Sequence, residues 1–295
     1  MYLVTGSTGG LGKRIVRSLR ERDQAVRAFV RLTSRYGELA HRGAEIAIGD
    51  LRECRDIDRA CQGVQYVISA HGSNASSGSA QAIDYRANLD LIEAAKAARV
   101  EHFVFISVLG ADRGYEDAPV FKAKWAIEQA LKTSGLNYTI LRPSGFASNL
   151  LPLAEQFRQT GIYLLVGDPQ IRTSIVSTDD LAQMAAVAPI TEAARNQTYA
   201  VGGPEVLNRA DIPKIFGKIF NREPIVINPP LATVDAVRTV LGLVSPAASN
   251  AIGTFRTLLA NEFFCTPAET EILETQFNLK LETLESFLRR YVGIY

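Results

Sequence analysis

Three glycines, Gly6, Gly9 and Gly12, stand three apart in "TGSTGGLG", after an apolar run and before an amphipathic one. At such a place each can do a mechanical job. Gly6 lets the chain turn sharply out of a strand. Gly9 removes a side chain where a pyrophosphate would approach the backbone, and Gly12 lets a helix pack close to its sheet. The N–H groups at the start of that helix then offer partial positive charge to phosphates. The spacing is G-x-x-G-x-x-G rather than G-x-G-x-x-G. A tight turn with no ligand would use the same glycines, but a strand before and a helix after favour a dinucleotide.

Which dinucleotide depends on the end of the second strand. An acid there would hydrogen-bond the ribose 2′-OH of NAD, whereas this chain has Arg31 with no Asp or Glu beside it. A guanidinium grips a 2′-phosphate with paired hydrogen bonds, so NADP(H) is favoured over NAD(H), with Arg35 a second cation nearby. The plainer alternative is a solvated arginine at a strand end. Asp50-Leu51 follows the third strand, where an acid accepts from the adenine amino group or simply caps a turn. "SAHG" closes the fourth strand with Ala70, His71 and Gly72, small enough for backbone to lie against a cofactor ribose. The Ser/Gly-rich stretch 72–79 reads as a mobile cover or as a linker.

The elements that must hold these residues are regular. "YLVT", "AVRAFV", "AEIAIG", "QYVISA", "HFVFIS" and "NYTILR" are short apolar runs of strand type. Helical stripes lie between them, such as Ile83, Ala87, Leu91 and Ala94, and "FKAKWAIEQALKTSG" ends on Gly135 at a helix-stop position. This alternation predicts an α/β fold, a parallel sheet covered on both faces. Residues 1–148 form the nucleotide-binding core in this reading. Residues 149–295 form a smaller, mostly helical lobe packed on it, with strands able to return to the core: "GIYLLVG", "RTSIVST" and "TYAVGG" are short strands, and helices follow at Asp179–Ala194 and Arg209–Phe220. Thr266-Pro267 with Glu269 carries a capping-box signal.

Composition narrows the function class. The chain has 295 residues, 47% apolar and 21% charged, with a net charge of +1, which provides no basic field for nucleic acid or anionic lipid. Cys54, Cys61 and Cys265 are too few and too scattered for a disulfide framework, and His41, His71 and His102 form no metal cluster. No run reaches the length of a membrane span, and strand-type sequence starts at Tyr2 with no leader pattern before it. The expectation is a cytoplasmic location or an equivalent reducing compartment such as the plastid stroma.

With "TGSTGGLG", "GDL", "IEAAKAARVEHFVFISVLGAD", "KWAIEQALKTSGLNYTILRP" and "VSTDDLA" in one order, the chain resembles the NmrA-like atypical short-chain dehydrogenase/reductases. The likeness implies a Rossmann-type doubly wound sheet, a C-terminal substrate lobe, and NADP(H) or NAD(H) between them. Its phosphate-loop matches are Gly6, Ser7, Thr8, Gly9, Leu11 and Gly12, and Arg31 matches the basic 2′-phosphate position. The family includes reductases of quinones, dyes and phenylpropanoids, redox-sensing regulators, and a branch that helps assemble photosystem II. "GLNYTI" and "FNLKLETLESFLRRY" resemble that branch.

The resemblance also frames the catalytic question. Most short-chain dehydrogenases protonate a carbonyl with a Tyr whose pKa is lowered by a Lys one helical turn on. Lys124 matches the lysine, but Val120 stands where the Tyr would be, and Ala118 precedes Lys122 at the same offset. Lys124 then binds the nicotinamide ribose or protonates an acceptor alone; alternatively it pairs with Glu128 on an exposed helix face. Ser107 at the end of the fifth strand touches cofactor or substrate, or caps backbone. Tyr115 has the wrong spacing for a helix pair, although its loop could bend it inward. The resemblance sets Pro143, Ser144 and Phe146 beside the nicotinamide, Phe146 being a stacking wall or ordinary core. The sequence thus predicts an NADPH-dependent reductase of a quinone or similar conjugated acceptor. The alternative is a non-catalytic NADP(H)-binding regulator or assembly factor whose apolar C-terminal segments, "LGLV" and "FRTLLANEFF", meet a protein partner.

Overall fold

A computed structural model describes residues 1–73, 79–242 and 246–293, with backbone alone at 240–242 and 246–250. Its strands are β1 (Tyr2–Thr5), β2 (Val26–Val30), β3 (Glu45–Ile48), β4 (Tyr66–Ser69), β5 (His102–Ile106), β6 (Tyr138–Pro143), β7 (Ile162–Leu164), β8 (Arg172–Thr173), β9 (Gln197–Val201), β10 (Leu207–Asn208) and β11 (Ile225–Ile227). The helices are α1 (Gly10–Arg20), α2 (Gly37–His41), α3 (Cys54–Cys61), α4 (Ala87–Ala97), α5 (Pro119–Thr133), α6 (Leu151–Thr160), α7 (Thr178–Val187), α8 (Asp211–Phe220), α9 (Ala232–Gly242), α10 (Pro246–Ala260), α11 (Pro267–Phe277) and α12 (Leu284–Val292). All six strands expected from the apolar runs pair in parallel and β9 joins them as a seventh, in the order β3-β2-β1-β4-β5-β6-β9. This is a Rossmann-type sheet. The order reverses between β1 and β4, and at that point a crevice opens beyond the strands' C-terminal ends.

Side-chain alternation explains why the strands read as unbroken apolar runs. In β1, Tyr2 and Val4 enter the cluster on one face with Ile15, Leu19, Leu181 and Met184, while Leu3 enters the other with Phe29, Val67, Phe103 and Leu131. Both faces are covered, so every second position is no longer free to be polar.

Beyond residue 148 the chain returns to the sheet twice. Strand β9 adds to β6, and the helices follow: α7 sets Leu181 and Met184 into the core beside α1, and α11 sets Leu273 and Phe277 there against β9. The expected helix over 179–194 stops at Val187 and continues as two short 3₁₀ turns, since Pro189 cannot donate to an α-helical ladder. The capping box at Thr266 and Glu269 forms, with Pro267 in the first turn. Of "RTSIVST", only Arg172–Thr173 is strand, paired antiparallel with β10. A second core of Phe157, Tyr163, Phe216 and Phe287 holds the lobe, and α12 ties it to α1. Asp179 accepts from Arg14 (3.1 Å), Arg17 (2.5 Å), Arg290 (2.8 Å) and the Tyr291 hydroxyl (2.8 Å). Among the described residues no helix is long and apolar enough to cross a membrane.

Candidate functional site

A cleft of about 920 Å³ runs along the C-terminal edge of the sheet, lined from the glycine loop to the end of β6. At the phosphate end its shape is set by backbone. Gly6 has φ +67° and no room for a Cβ, which would sit 2.6 Å from the Ala70 carbonyl oxygen. A Cβ on Gly12 would meet the Gly6 carbonyl oxygen at 2.1 Å, so the helix presses on the loop itself rather than on the sheet, as the sequence reading had it. A Cβ on Gly9 meets only the Gly6 oxygen, at 3.2 Å. No side chain caps α1 and no acid lies in its first turn, which leaves its N–H groups to an anion. Thr8 and Leu11 line the cleft, whereas the buried Ser7 hydroxyl donates to the Phe29 carbonyl (2.8 Å) and anchors the loop to β2.

At the adenine end, Arg31, Ser34, Asp50, Leu51 and Arg52 form the wall, and Arg35 is not part of it. The Asp50 carboxylate accepts the Arg52 N–H (2.9 Å) and the Arg52 guanidinium (Nη2 at 2.5 Å), as a turn residue does. Arg52 above all, and then Arg31, hold this carboxyl below the usual carboxylate range despite partial burial.

The floor beyond β4 is a buried polar cluster. Ala70, His71 and Gly72 line the cleft as expected. The His71 Nδ1 meets the Thr5 hydroxyl at 2.8 Å, while its buried Nε2 has no hydrogen-bond partner among the described residues. Burial, helped by the Lys124 charge, pushes His71 down to about 4, so the ring is neutral at pH 7. A π-helical stretch, Gln81–Arg86, sets Asp84 beneath Gly72. One Asp84 oxygen accepts the Ser73 N–H (3.0 Å), and the other faces the Lys124 ammonium at 3.6 Å without a hydrogen bond. Lys124 Nζ also donates to the carbonyls of Ile106 (3.0 Å) and His71 (3.3 Å). Burial lowers the Lys124 pKa, against the raising pull of Asp84 and then Glu128. The stretch 74–78, most of the expected cover, lies outside the described residues.

The exposed Lys124–Glu128 pair is not formed. Glu128 is fully buried and gripped by the Arg142 guanidinium (Nε 2.9 Å, Nη2 2.6 Å), because β6 brings Arg142 beneath α5 and a planar fork satisfies a dry carboxylate. Ser107 lines the cleft but donates its proton to the same carboxylate at 2.5 Å, so it can accept a hydrogen bond and has none left to give. Tyr115 does not bend inward; its ring stacks edge-on against Phe121, with centroids 5.2 Å apart, away from the cleft lining. Pro143, Ser144 and Phe146 do line the cleft. The Ser144 hydroxyl donates to the Ser174 carbonyl, and Phe146 packs against the core while presenting surface to the cleft. Val120 and Leu258, the latter from α10, complete an apolar wall opposite.

This geometry suits a dinucleotide: an uncapped helix start, a loop of glycines with no side chains in the way, a cation at the second strand, and orphaned His71 and Asp84 atoms under the far end. Residues 6–189 match the NAD(P)H-binding family. The chain belongs to that family. Its relatives include an NAD(P)H-dependent reductase. It is 35% identical over 215 residues to the NAD(P)H azoreductase of Xenophilus azovorans, covering 72% of this chain and 71% of that one. It is 29% identical over 242 residues to the photosystem II assembly factor Ycf39 of Cyanophora paradoxa, covering 80% and 74%. The NADPH-dependent quinone oxidoreductase QOR2 of Escherichia coli, solved with NADPH, shares the fold at TM-score 0.79 and 22% identity, over 99% of this chain and 100% of that one.

Sequence reading missed Asp84, Arg142 and Arg52. Asp84 had a signal: with Asn88 it makes a polar pair four apart on a helix whose neighbouring positions are apolar, and both are fully buried. Arg142 had none, since its partner lies on another element.

Proposed function

We propose that this protein is an NADPH-dependent reductase of a quinone or a similarly conjugated small acceptor. One observation carries the reading: the acceptor end lacks the tyrosine one helical turn before Lys124, and the serine that closes β5 has already given its proton away. Val120 replaces the tyrosine, Ser107 gives its proton to Glu128, and Lys124 faces the floor. A ketone accepting hydride becomes a strongly basic alkoxide and needs a donor beside it; a quinone becomes a weakly basic phenolate that water can protonate. When bound, the dinucleotide supplies the hydride from its nicotinamide ring. Arg31 binds the 2′-phosphate and the start of α1 the pyrophosphate, while Lys124, beside Asp84, holds the His71 and Ile106 carbonyls in the floor beneath the nicotinamide end. Phe146, Val120 and Leu258 exclude water from the acceptor. The acceptor in the quinone reductase name is of this class, and the azo group in the azoreductase name is likewise a conjugated acceptor.

NADPH oxidation by the purified protein over a panel of quinones, azo dyes and simple ketones tests this. Turnover with quinones or azo dyes and none with ketones is expected. Ser107→Ala should lower that rate by no more than about threefold, against the about 10²–10⁴-fold of a true proton donor. Ketone reduction abolished by Ser107→Ala would overturn the reading. Tight NADPH binding with no turnover on any acceptor favours the second reading, an NADP(H)-binding assembly factor. That reading draws on the Ycf39 relatives and on Val237 and Phe255, each 52% exposed on the helices beside the cleft.

A further inference from the structure

The wall that reads the second strand's end contains an acid that ought to work against a phosphorylated cofactor. Asp50 and Arg31 end adjacent strands and line the same part of the cleft. Their closeness is enforced. The Gly49 N–H donates to the Val30 carbonyl at 2.9 Å, and a Cβ on Gly49 would lie 2.8 Å from both the Phe29 ring and the Asp56 side chain. The Asp50 N–H is held by Asp56 at 2.9 Å. A bare carboxylate here would pair with Arg31, accept from a ribose 2′-OH, and repel a 2′-phosphate.

Arg52 removes that conflict. Its Nε lies 3.0 and 3.1 Å from the two Asp50 oxygens, its Nη2 2.5 Å from one, and its backbone N–H 2.9 Å from the other. Both oxygens are thereby occupied. Arg31, Asp50 and Arg52 together carry one net positive charge; without Arg52 they would carry none. We propose that Arg52 is a cofactor-specificity residue: by masking the Asp50 carboxylate it leaves Arg31 free to face the 2′-phosphate of NADP(H). This rests on the NADPH reading above and assigns that reading a second, indirect determinant. Arg52 acts through Asp50 and is a positioning residue, not a phosphate ligand.

Dissociation constants for NADPH and NADH, measured by cofactor fluorescence at fixed ionic strength, test it on the wild type, Arg52→Ala and the double variant Arg52→Ala/Asp50→Asn. Arg52 is largely exposed, so its loss leaves the core intact. Arg52→Ala should weaken NADPH by about tenfold, the scale of one uncompensated charge several ångströms from a phosphate near a protein surface, with NADH unaffected or tighter. The double variant should recover NADPH affinity to within about threefold of wild type, because the charge to be masked is gone. A wild-type preference for NADPH with no loss in Arg52→Ala overturns the masking alone. A double variant as weak as Arg52→Ala also overturns it, since Arg52 then touches the phosphate directly. A wild type that prefers NADH overturns the NADPH reading, and the masking falls with it.

Discussion

At the glycine-loop and Arg31 end of the cleft, the groups proposed to bind the cofactor face outward. Backbone N–H groups at the start of α1 carry no side-chain cap, and Arg31 stands on an exposed wall. At the acceptor end the charges are more numerous and nearly all turned on one another: Lys124 against Asp84, Arg142 against Glu128, and Ser107 donating to Glu128. One end is built to receive charge from a ligand. The other satisfies its charges internally and leaves an apolar surface of Val120, Phe146 and Leu258 for whatever lies beside the ring. The lesson is that polar residues near a cleft do not by themselves make a proton-transfer site. What counts is whether any donor remains after the protein's own acceptors are served.

The comparison is broken most completely at the outward-facing end. Gly12→Val places atoms into the Gly6 carbonyl and should abolish NAD(P)H binding in a fluorescence titration, whereas Gly9→Ala, with only a 3.2 Å contact, should fold and bind more weakly. If Gly12→Val binds as the wild type does, the loop is not the phosphate cradle.

At the internally satisfied end the effect falls on stability. Asp84→Asn strands the buried Lys124 ammonium and should cost about 3–5 kcal/mol in urea unfolding at pH 7. With its carboxylate partner gone, Lys124 deprotonates more readily in the folded state, so the deficit should shrink as pH rises toward 9. Adding Lys124→Met should recover most of the loss. A deficit independent of pH would mean that packing, not charge, was lost.

The smallest effect is the acid limb. His71 and His102 are both pushed down to about 4 by burial from an ordinary 6.5. Groups depressed in this way contribute stability that is complete above pH 6.5 and is lost as pH falls toward 4, each by about 3 kcal/mol. Asp180, raised to about 6 by burial, runs the other way and regains roughly one such increment over nearly the same interval. The net is a loss of about 3 kcal/mol between pH 7 and 4, measurable by urea unfolding across that range. Asp180→Asn should make the loss steeper, since it removes the opposing contribution.

The strands, the glycine loop and the Thr266 capping box were legible because each depends on residues close in sequence: alternation along a strand, φ at one glycine, a hydroxyl reaching an amide three residues on. The candidates lining the cleft at Arg31, Ala70, His71, Gly72 and Phe146 followed from strand ends, whose position in a parallel sheet is fixed by topology. Asp84, Arg142 and Arg52 were illegible as site residues. A charged side chain's role depends on which opposite charge folding brings to it, and Lys124 is the plain case. Its helical neighbour Glu128 is the obvious partner by spacing, yet Glu128 is taken by Arg142 from β6 and Lys124 by Asp84 from the π-helical stretch before α4.

The amino-acid sequence by itself determined the parallel sheet, the glycine loop and the missing tyrosine, since hydrophobic period and residue identity act locally. Only the tertiary structure decided that Ser107 gives its proton to Glu128 and that Lys124 faces Asp84, because a contact between distant elements exists only once the sheet order has placed them within reach of each other.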